Sequence, residues 1–166
     1  MKTWVTSDLH LGHYNIMKYC NRPFDSLNSM NQALIWNWNR SISKYDTVYF
    51  LGDLAFTKHI KLVDWLKMLN GQIIFIQGNH DPSRQIQFDK PGVIKYKGRS
   101  FYIVHDPKDV PARWSEWVIH GHQHNNNLVK YPFINFENKT VNASVDVTQY
   151  RPVDMDYIVG RIYRNY

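Results

Sequence analysis

The stretch "WVIHGHQHNNN" places His120, His122 and His124 within five residues, with Gly121 between the first two. Imidazole is the commonest protein ligand for metal ions. The cluster is therefore either a set of surface histidines or one corner of a metal site, and the rest of the chain decides which. Asp8 and His10 form Asp-x-His, Asp53 follows a glycine in "GD", and "GNHD" brings Asn79, His80 and Asp81. His105 and Asp106 close "SFYIVHD". Singly, each piece has an ordinary reading: a turn carboxylate with a solvated histidine, a Gly-Asp turn, an asparagine in a left-handed turn, a buried histidine. Together, Asp8, His10, Asp53, Asn79, His105, His122 and His124 give seven oxygen and nitrogen donors and no thiolate. Such a set suits two divalent cations ~3.5–4 Å apart that share one carboxylate and one hydroxide. Manganese is the leading expectation, with iron, zinc, nickel or cobalt as alternatives that accept the same donors.

Each donor lies just past an apolar, β-rich run. The runs are "KTWVTSD", "DTVYFLGD", "QIIFIQGNHD", "SFYIVHD" and "SEWVIHGHQH". Between the early ones, Met30, Leu34, Ile35, Trp38 and Ile42 fall at helical spacing, with Asn28 or Ser29 as the cap. Ile60, Val63, Leu66 and Leu69 repeat that pattern, and Asn70-Gly71 reads as the stop. "DKPG" and "YKGRS" are turn signals, and "NNN" is a loop. The order β-α-β-α-β followed by strands predicts an α/β fold with its functional groups outside the carboxyl ends of strands.

A chain of 166 residues, 43% hydrophobic and 20% charged, is expected to form one globular domain over residues 1–166. No apolar run approaches the ~20 residues of a membrane helix, and the N-terminus lacks a signal peptide's apolar core. The single cysteine, Cys20, cannot form an internal disulfide and suits a reducing, cytoplasmic setting. A formal charge of +6 favours an anionic partner, but the basic residues are scattered, unlike a nucleic-acid arm.

In order, "SDLH", "GD", "GNHD", "H" and "GHQH" resemble the signature of the calcineurin-like metallophosphoesterases, over Asp8 to His124. The resemblance implies a four-layer αββα sandwich with two mixed β-sheets and a dinuclear site at the strand ends. It implies that Asp8, His10 and His124 hold one metal, that Asn79, His105 and His122 hold the other, and that Asp53 bridges them. His80 would be the non-ligand histidine that contacts the phosphate and assists the leaving group. "GDLAF" lacks the arginine that follows this aspartate in the protein Ser/Thr phosphatases, and "GNHD" ends in Asp where they carry Glu. Both departures point to the small bacterial and phage-type branch.

The expected activity is phosphodiester hydrolysis, with a bridging hydroxide attacking phosphorus in line while the metals and Asn79 stabilise the developing charge. A nucleotide or oligonucleotide is the expected partner. His13 is a candidate substrate contact, with an exposed loop histidine as its alternative. Arg22 is a candidate phosphate clamp because a guanidinium fork matches phosphate geometry, with a surface salt bridge as its alternative. His120 is expected to pack beside the site, His59 to be a solvated helix residue and Cys20 to lie in the core. The six tryptophans and eleven tyrosines invite base stacking, although core packing is the simpler account. The rival functions are a phosphomonoesterase, a small nuclease and, least favoured, a ligand-depleted scaffold. No ligand is missing here.

Overall fold

The computed structural model describes residues 1–82 and 84–163. In chain order its first half holds β1 (Thr3–Thr6), α1 (Ile16–Tyr19), α2 (Leu27–Ser41), β2 (Thr47–Phe50), α3 (Leu62–Leu66) and β3 (Gln72–Phe75). The second half holds β4 (Gly92–Tyr96), β5 (Arg99–Val104), a 3-10 turn at Pro107–Asp109, β6 (Trp117–His120), β7 (Ile134–Asn135), β8 (Thr140–Asn142), β9 (Val153–Asp154) and α4 (Met155–Tyr163). The strands form two mixed sheets, ordered β3-β2-β1-β9 and β4-β5-β6-β8-β7. In the first, β1, β2 and β3 are parallel and β9 is antiparallel. In the second, β5, β6 and β8 are parallel, flanked by antiparallel β4 and β7.

Alternation along the strands builds two cores. Val48 and Phe50 of β2 face Met30, Leu34 and Trp38 of α2. On the other face, Leu51 and Val5 meet Phe101, Ile103, Trp117 and Ile119 of the second sheet. Helix α4, which the sequence reading did not anticipate, contributes Met155, Ile158 and Ile162 to this inter-sheet core. Tyr102 points out of that core and is met by Trp114, ring centroids 5.6 Å apart. On the outer side of the second sheet Trp114 covers Tyr102 and Tyr131 covers His120. No helix among the described residues is long and apolar enough to cross a membrane.

Two helix expectations need correction. The cap of α2 is Ser26, whose hydroxyl accepts the Ser29 N–H while Ser29 Oγ accepts the Ser26 N–H, a reciprocal box two or three residues ahead of the expected cap. The second helix is only α3, and its phase is shifted. Leu62, Trp65 and Leu69 are buried, whereas Ile60 and Val63 are exposed, so the large Trp65 ring sets the inward face. His59 consequently precedes the helix instead of lying on it.

At the carboxyl ends of β1, β2, β5 and β6 the two sheets are stitched together. Val145 N donates to Ser7 O at 3.1 Å, His122 N donates to Asp8 Oδ2 at 3.0 Å, and Ser144 Oγ donates to Asp8 Oδ2 at 2.7 Å. Gly121 is required by this closeness: a Cβ there would collide with Ser7 Oγ and come within 2.6 Å of Asp8 Oδ2. Gly121→Ala should destabilise the fold by about 1–3 kcal/mol, as overpacking of a tight site does. A thermal melt of the chelated protein checks this, and an unchanged melting temperature would show that the rim yields easily.

Candidate metal centre

The structure brings all seven expected donors to this one rim. Asp8 and His10 follow β1, Asp53 follows β2, Asn79 follows β3, His105 follows β5, and His122 and His124 follow β6. Five of the seven take left-handed backbone: Asp8 (φ 60°), His10 (52°), Asp53 (59°), His122 (67°) and His124 (47°). Non-glycine residues adopt this region at a cost of order 1–3 kcal/mol each, and such strain gathers at functional sites. Asn79, for which a left-handed turn was the ordinary reading, is not among the left-handed residues.

The donors fall into two overlapping groups with Asp8 in both, and Asp53 stands between their histidines. Donor atoms of Asp8, His10 and His124 lie within 4.8 Å of one another, as do those of Asp8, Asp53 and His105. Asp53 Oδ2 stands 3.5 Å from both His10 Nε2 and His105 Nε2. On the far side, Asn79 Oδ1 lies 2.9 Å from His105 Nε2 and 2.9 Å from His122 Nδ1, and those two nitrogens are 3.2 Å apart. His105 directs Nδ1–H to Leu51 O at 2.7 Å, so in the neutral tautomer its Nε2 presents a lone pair to this cluster. His10 Nε2 is buried with no hydrogen-bond partner among the described residues. Burial, then the neighbouring His124 and Arg22, hold the His10 imidazole well below its ordinary pKa and therefore neutral. Lone pairs converging on one another in a buried site are held together by positive charge between them. The donor set fits divalent cations.

The distal side of the histidines is anchored as well, which fixes ring orientation. His122 Nε2 faces Asp106 Oδ2 at 3.4 Å. His124 Nδ1 lies 2.6 Å from Asp146 Oδ2, leaving Nε2 directed toward Asp8 Oδ1 at 3.7 Å. Burial pulls the His124 imidazole down, but Asp8 and Asp146 outweigh it and push its pKa up to about 11. Asp146 in turn accepts from Arg22 at 2.8 and 3.0 Å. Arg22 is the correction to the sequence reading. It is neither a surface residue nor a phosphate clamp, because its fork is buried and its remaining donors go to Leu9 O at 2.7 Å and Asp8 O at 2.8 Å. The guanidinium holds the backbone carbonyls of Asp8 and Leu9 and orients the carboxylate behind His124.

Asp81, the last residue of "GNHD", accepts three backbone N–H groups, from Asp53 (2.7 Å), Gly78 (2.8 Å) and Leu54 (3.0 Å), tying the loop after β2 to the loop after β3. His80 donates its backbone N–H to Asp53 Oδ1 at 2.8 Å and leaves its ring at the open edge, 5.4 Å from the His10 ring. The half-buried His13 ring lies 5.5 Å from His10 and 6.4 Å from His80. His120 is fully buried with its ring against Tyr131 at 5.5 Å, a packing position facing away from the inter-sheet core. Cys20 is buried, close to His124 and Asp146. Sequence reasoning missed Asp146 and the anchoring role of Asp106. The run "TVNASVD", another β-rich segment ending in aspartate, carried the same signal as the five that were noticed.

Comparison with known proteins identifies the family. Residues 1–139 match the family model described as the calcineurin-like phosphoesterase superfamily domain. An uncharacterised protein of Methanocaldococcus jannaschii is 46% identical over 164 residues, covering 97% of this chain and 91% of that protein. The gene 66 protein of Mycobacterium phage L5 is 38% identical over 82 residues, covering 48% of this chain and 39% of the phage protein. Among solved structures, a protein of unknown function from Aquifex aeolicus shares the fold at a TM-score of 0.74 and 23% identity, over 97% of this chain and 99% of its own. The matched region takes in all seven donors, and this chain belongs to the calcineurin-like phosphoesterase superfamily, a family of metal-dependent phosphoesterases.

Proposed function

We propose that the protein is a dinuclear phosphodiesterase acting on nucleotide-like esters. The observation that carries this reading is the pair of donor groups meeting at Asp53 Oδ2, 3.5 Å from a histidine nitrogen on either side. In this reading Asp8, His10 and His124 would hold one ion, manganese by preference, Asn79, His105 and His122 would hold the other, and Asp53 would contribute to both. Bound divalent ions supply an activated water nucleophile and neutralise phosphoryl charge. With its Oδ1 turned to His105 and His122, Asn79 keeps its amide N–H groups for a phosphoryl oxygen. His80 stands at the open edge beside His10 and gives a proton to the departing oxygen.

Preference for a diester is supported by charge. With Arg22 engaged in the interior, no arginine lines the two cavities flanking the centre among the described residues, and Asp106 and Asp109 border one of them. A dianionic monoester would meet those carboxylates without a guanidinium to offset them, whereas a diester carries one charge fewer. The test is hydrolysis of bis-nitrophenyl phosphate against nitrophenyl phosphate by chelated protein resupplied with Mn, Ni, Zn or Mg. Metal-dependent turnover strongest on the diester supports the reading, and preference for the monoester makes the protein a phosphatase. Folded protein that turns over neither ester with any metal refutes the enzyme altogether. His80→Ala should keep its metal yet lose ~10²–10⁴-fold turnover on an alkyl ester, with a smaller loss on a nitrophenyl ester, whose leaving group needs little protonation. Equal losses on the two esters would remove His80 from the acid role.

A further inference from the structure

Two cavities open beside the centre, and their chemistry differs. The one on the His105–His122 side, about 260 Å³, is bordered by Asp106 and Asp109. The other, about 280 Å³, lies on the His13 side and is lined by His13, Tyr14, Asn15, Phe56, Lys58 and His59, with Gly12 and Leu27 completing the wall and no carboxylate among these residues. Two aromatic side chains of this wall are about half exposed, Tyr14 at 54% and Phe56 at 48%. Single exposed aromatics are common, but these converge on one cavity next to the candidate acid. Phe56 stacks on His13 with ring centroids 5.2 Å apart and planes 18° from parallel. His13 in turn lies tilted against His10, ring centroids 5.5 Å apart. Positive charge surrounds it: Lys58 lies in the wall, and Lys18 Nζ stands 5.7 Å from the Tyr14 ring centre.

We propose that this cavity is the nucleobase subsite of the enzyme. A nucleotide whose phosphate lies at the metal centre places its base on Phe56 and Tyr14, with Asn15 at the base's polar edge and Lys58 and Lys18 beside the anionic backbone. The proposal rests on the phosphodiesterase reading and deepens it. Stacking tolerates any base, because every base has a π-face, so the subsite selects nucleotides over other phosphate esters without selecting sequence. The acidic cavity opposite repels further phosphates. The substrate is thus a free nucleotide ester or the end of an oligonucleotide, not the interior of a strand.

Calorimetric titration of the manganese-loaded protein with adenosine 5′-monophosphate, ribose 5-phosphate and inorganic phosphate tests this. Adenosine monophosphate should bind at least about tenfold more tightly than ribose 5-phosphate. Phe56→Ala should remove most of that gap while leaving ribose 5-phosphate binding unchanged, and Tyr14→Ala should reduce it. Because Phe56 is half exposed, the variant should fold. Phe56→Leu, which keeps apolar bulk without a ring, serves the same comparison if the alanine variant does not. Equal binding of the two phosphates overturns the subsite, as does a gap that survives both the Phe56 and the Tyr14 substitutions. Turnover of bis-nitrophenyl phosphate by the same preparations separates the two readings. Turnover without base-dependent binding sinks the subsite alone. Phe56-dependent binding without turnover keeps the subsite and sinks the esterase.

Discussion

Asp53→Asn should yield a folded protein that no longer gains thermal stability from divalent metal and has lost hydrolysis. The loss should exceed the ~10–100-fold that follows removal of an outer-sphere partner. Asp53 is the residue whose single oxygen faces both donor groups, and its other oxygen accepts the His80 N–H. An asparagine preserves size and can keep the latter bond, but it removes the charge both groups depend on. The same substitution should stabilise the chelated protein. Burial first, and the nearby Asp8 second, push the Asp53 carboxyl up to about 6. A carboxyl raised in this way is tolerated while protonated and costs stability as it ionises. The penalty is absent below pH ~4, where folded and unfolded chains are both protonated, and complete above pH ~6. It amounts to roughly 2–3 kcal/mol. Chelated Asp53→Asn should therefore melt roughly 5 °C above chelated wild type at pH 8, with no advantage at pH 4. A variant that melts lower at pH 8 would mean that the carboxylate is already compensated without metal.

Metal affinity should climb steeply with pH, because a cation must displace a proton from His124. With Asp8 and Asp146 holding that imidazole's pKa near 11 against its burial, the chelated protein carries His124 charged at neutrality. Binding at Nε2 then releases one proton, and affinity should rise about tenfold per pH unit between 7 and 9. Titration in two buffers of different ionisation heat counts the protons directly, and a count of zero at pH 7.5 would refute the assignment. The linkage has a second face. A histidine raised above its ordinary value stabilises the chelated fold below pH ~6.5, and that stabilisation is lost as pH rises toward 11. Asp146→Asn should flatten the pH dependence and weaken binding at pH 9 by ~10–100-fold, since the ring loses both its charge partner and its orientation. The asparagine also leaves Arg22 buried without its carboxylate, so the variant's melting temperature must be followed alongside.

The seven donors were legible because each follows a β-rich run, and parallel strands deliver their ends to one rim. What could not be read was anything set by the third dimension. Arg22 looks solvent-bound in "CNRPF", yet it lies under the donor cluster because the segment that follows α1 brings it back to Leu9 O and Asp8 O, just past β1. Asp146 closes a β-rich run as the donors do, but only the meeting of β8's end with His124 and Arg22 shows that it anchors a donor instead of being one. The shortness of α3 was hidden because Ile60 and Val63 are apolar at helical spacing, while the side chain that turns inward is Trp65. The helix lacks the length to impose its own period.

The left-handed backbone at Asp8, His10, Asp53, His122 and His124 has a consequence for anyone wishing to transplant this centre onto another scaffold. Copying seven side chains onto ordinary strands or helices would reproduce the inventory and miss the aim of most of them. At these positions the main chain turns through a conformation that only its neighbours' packing sustains. The portable unit is the set of five loops with Gly121 and the Asp81 clamp. A graft that omits them inherits the donors without the rim that points them inward.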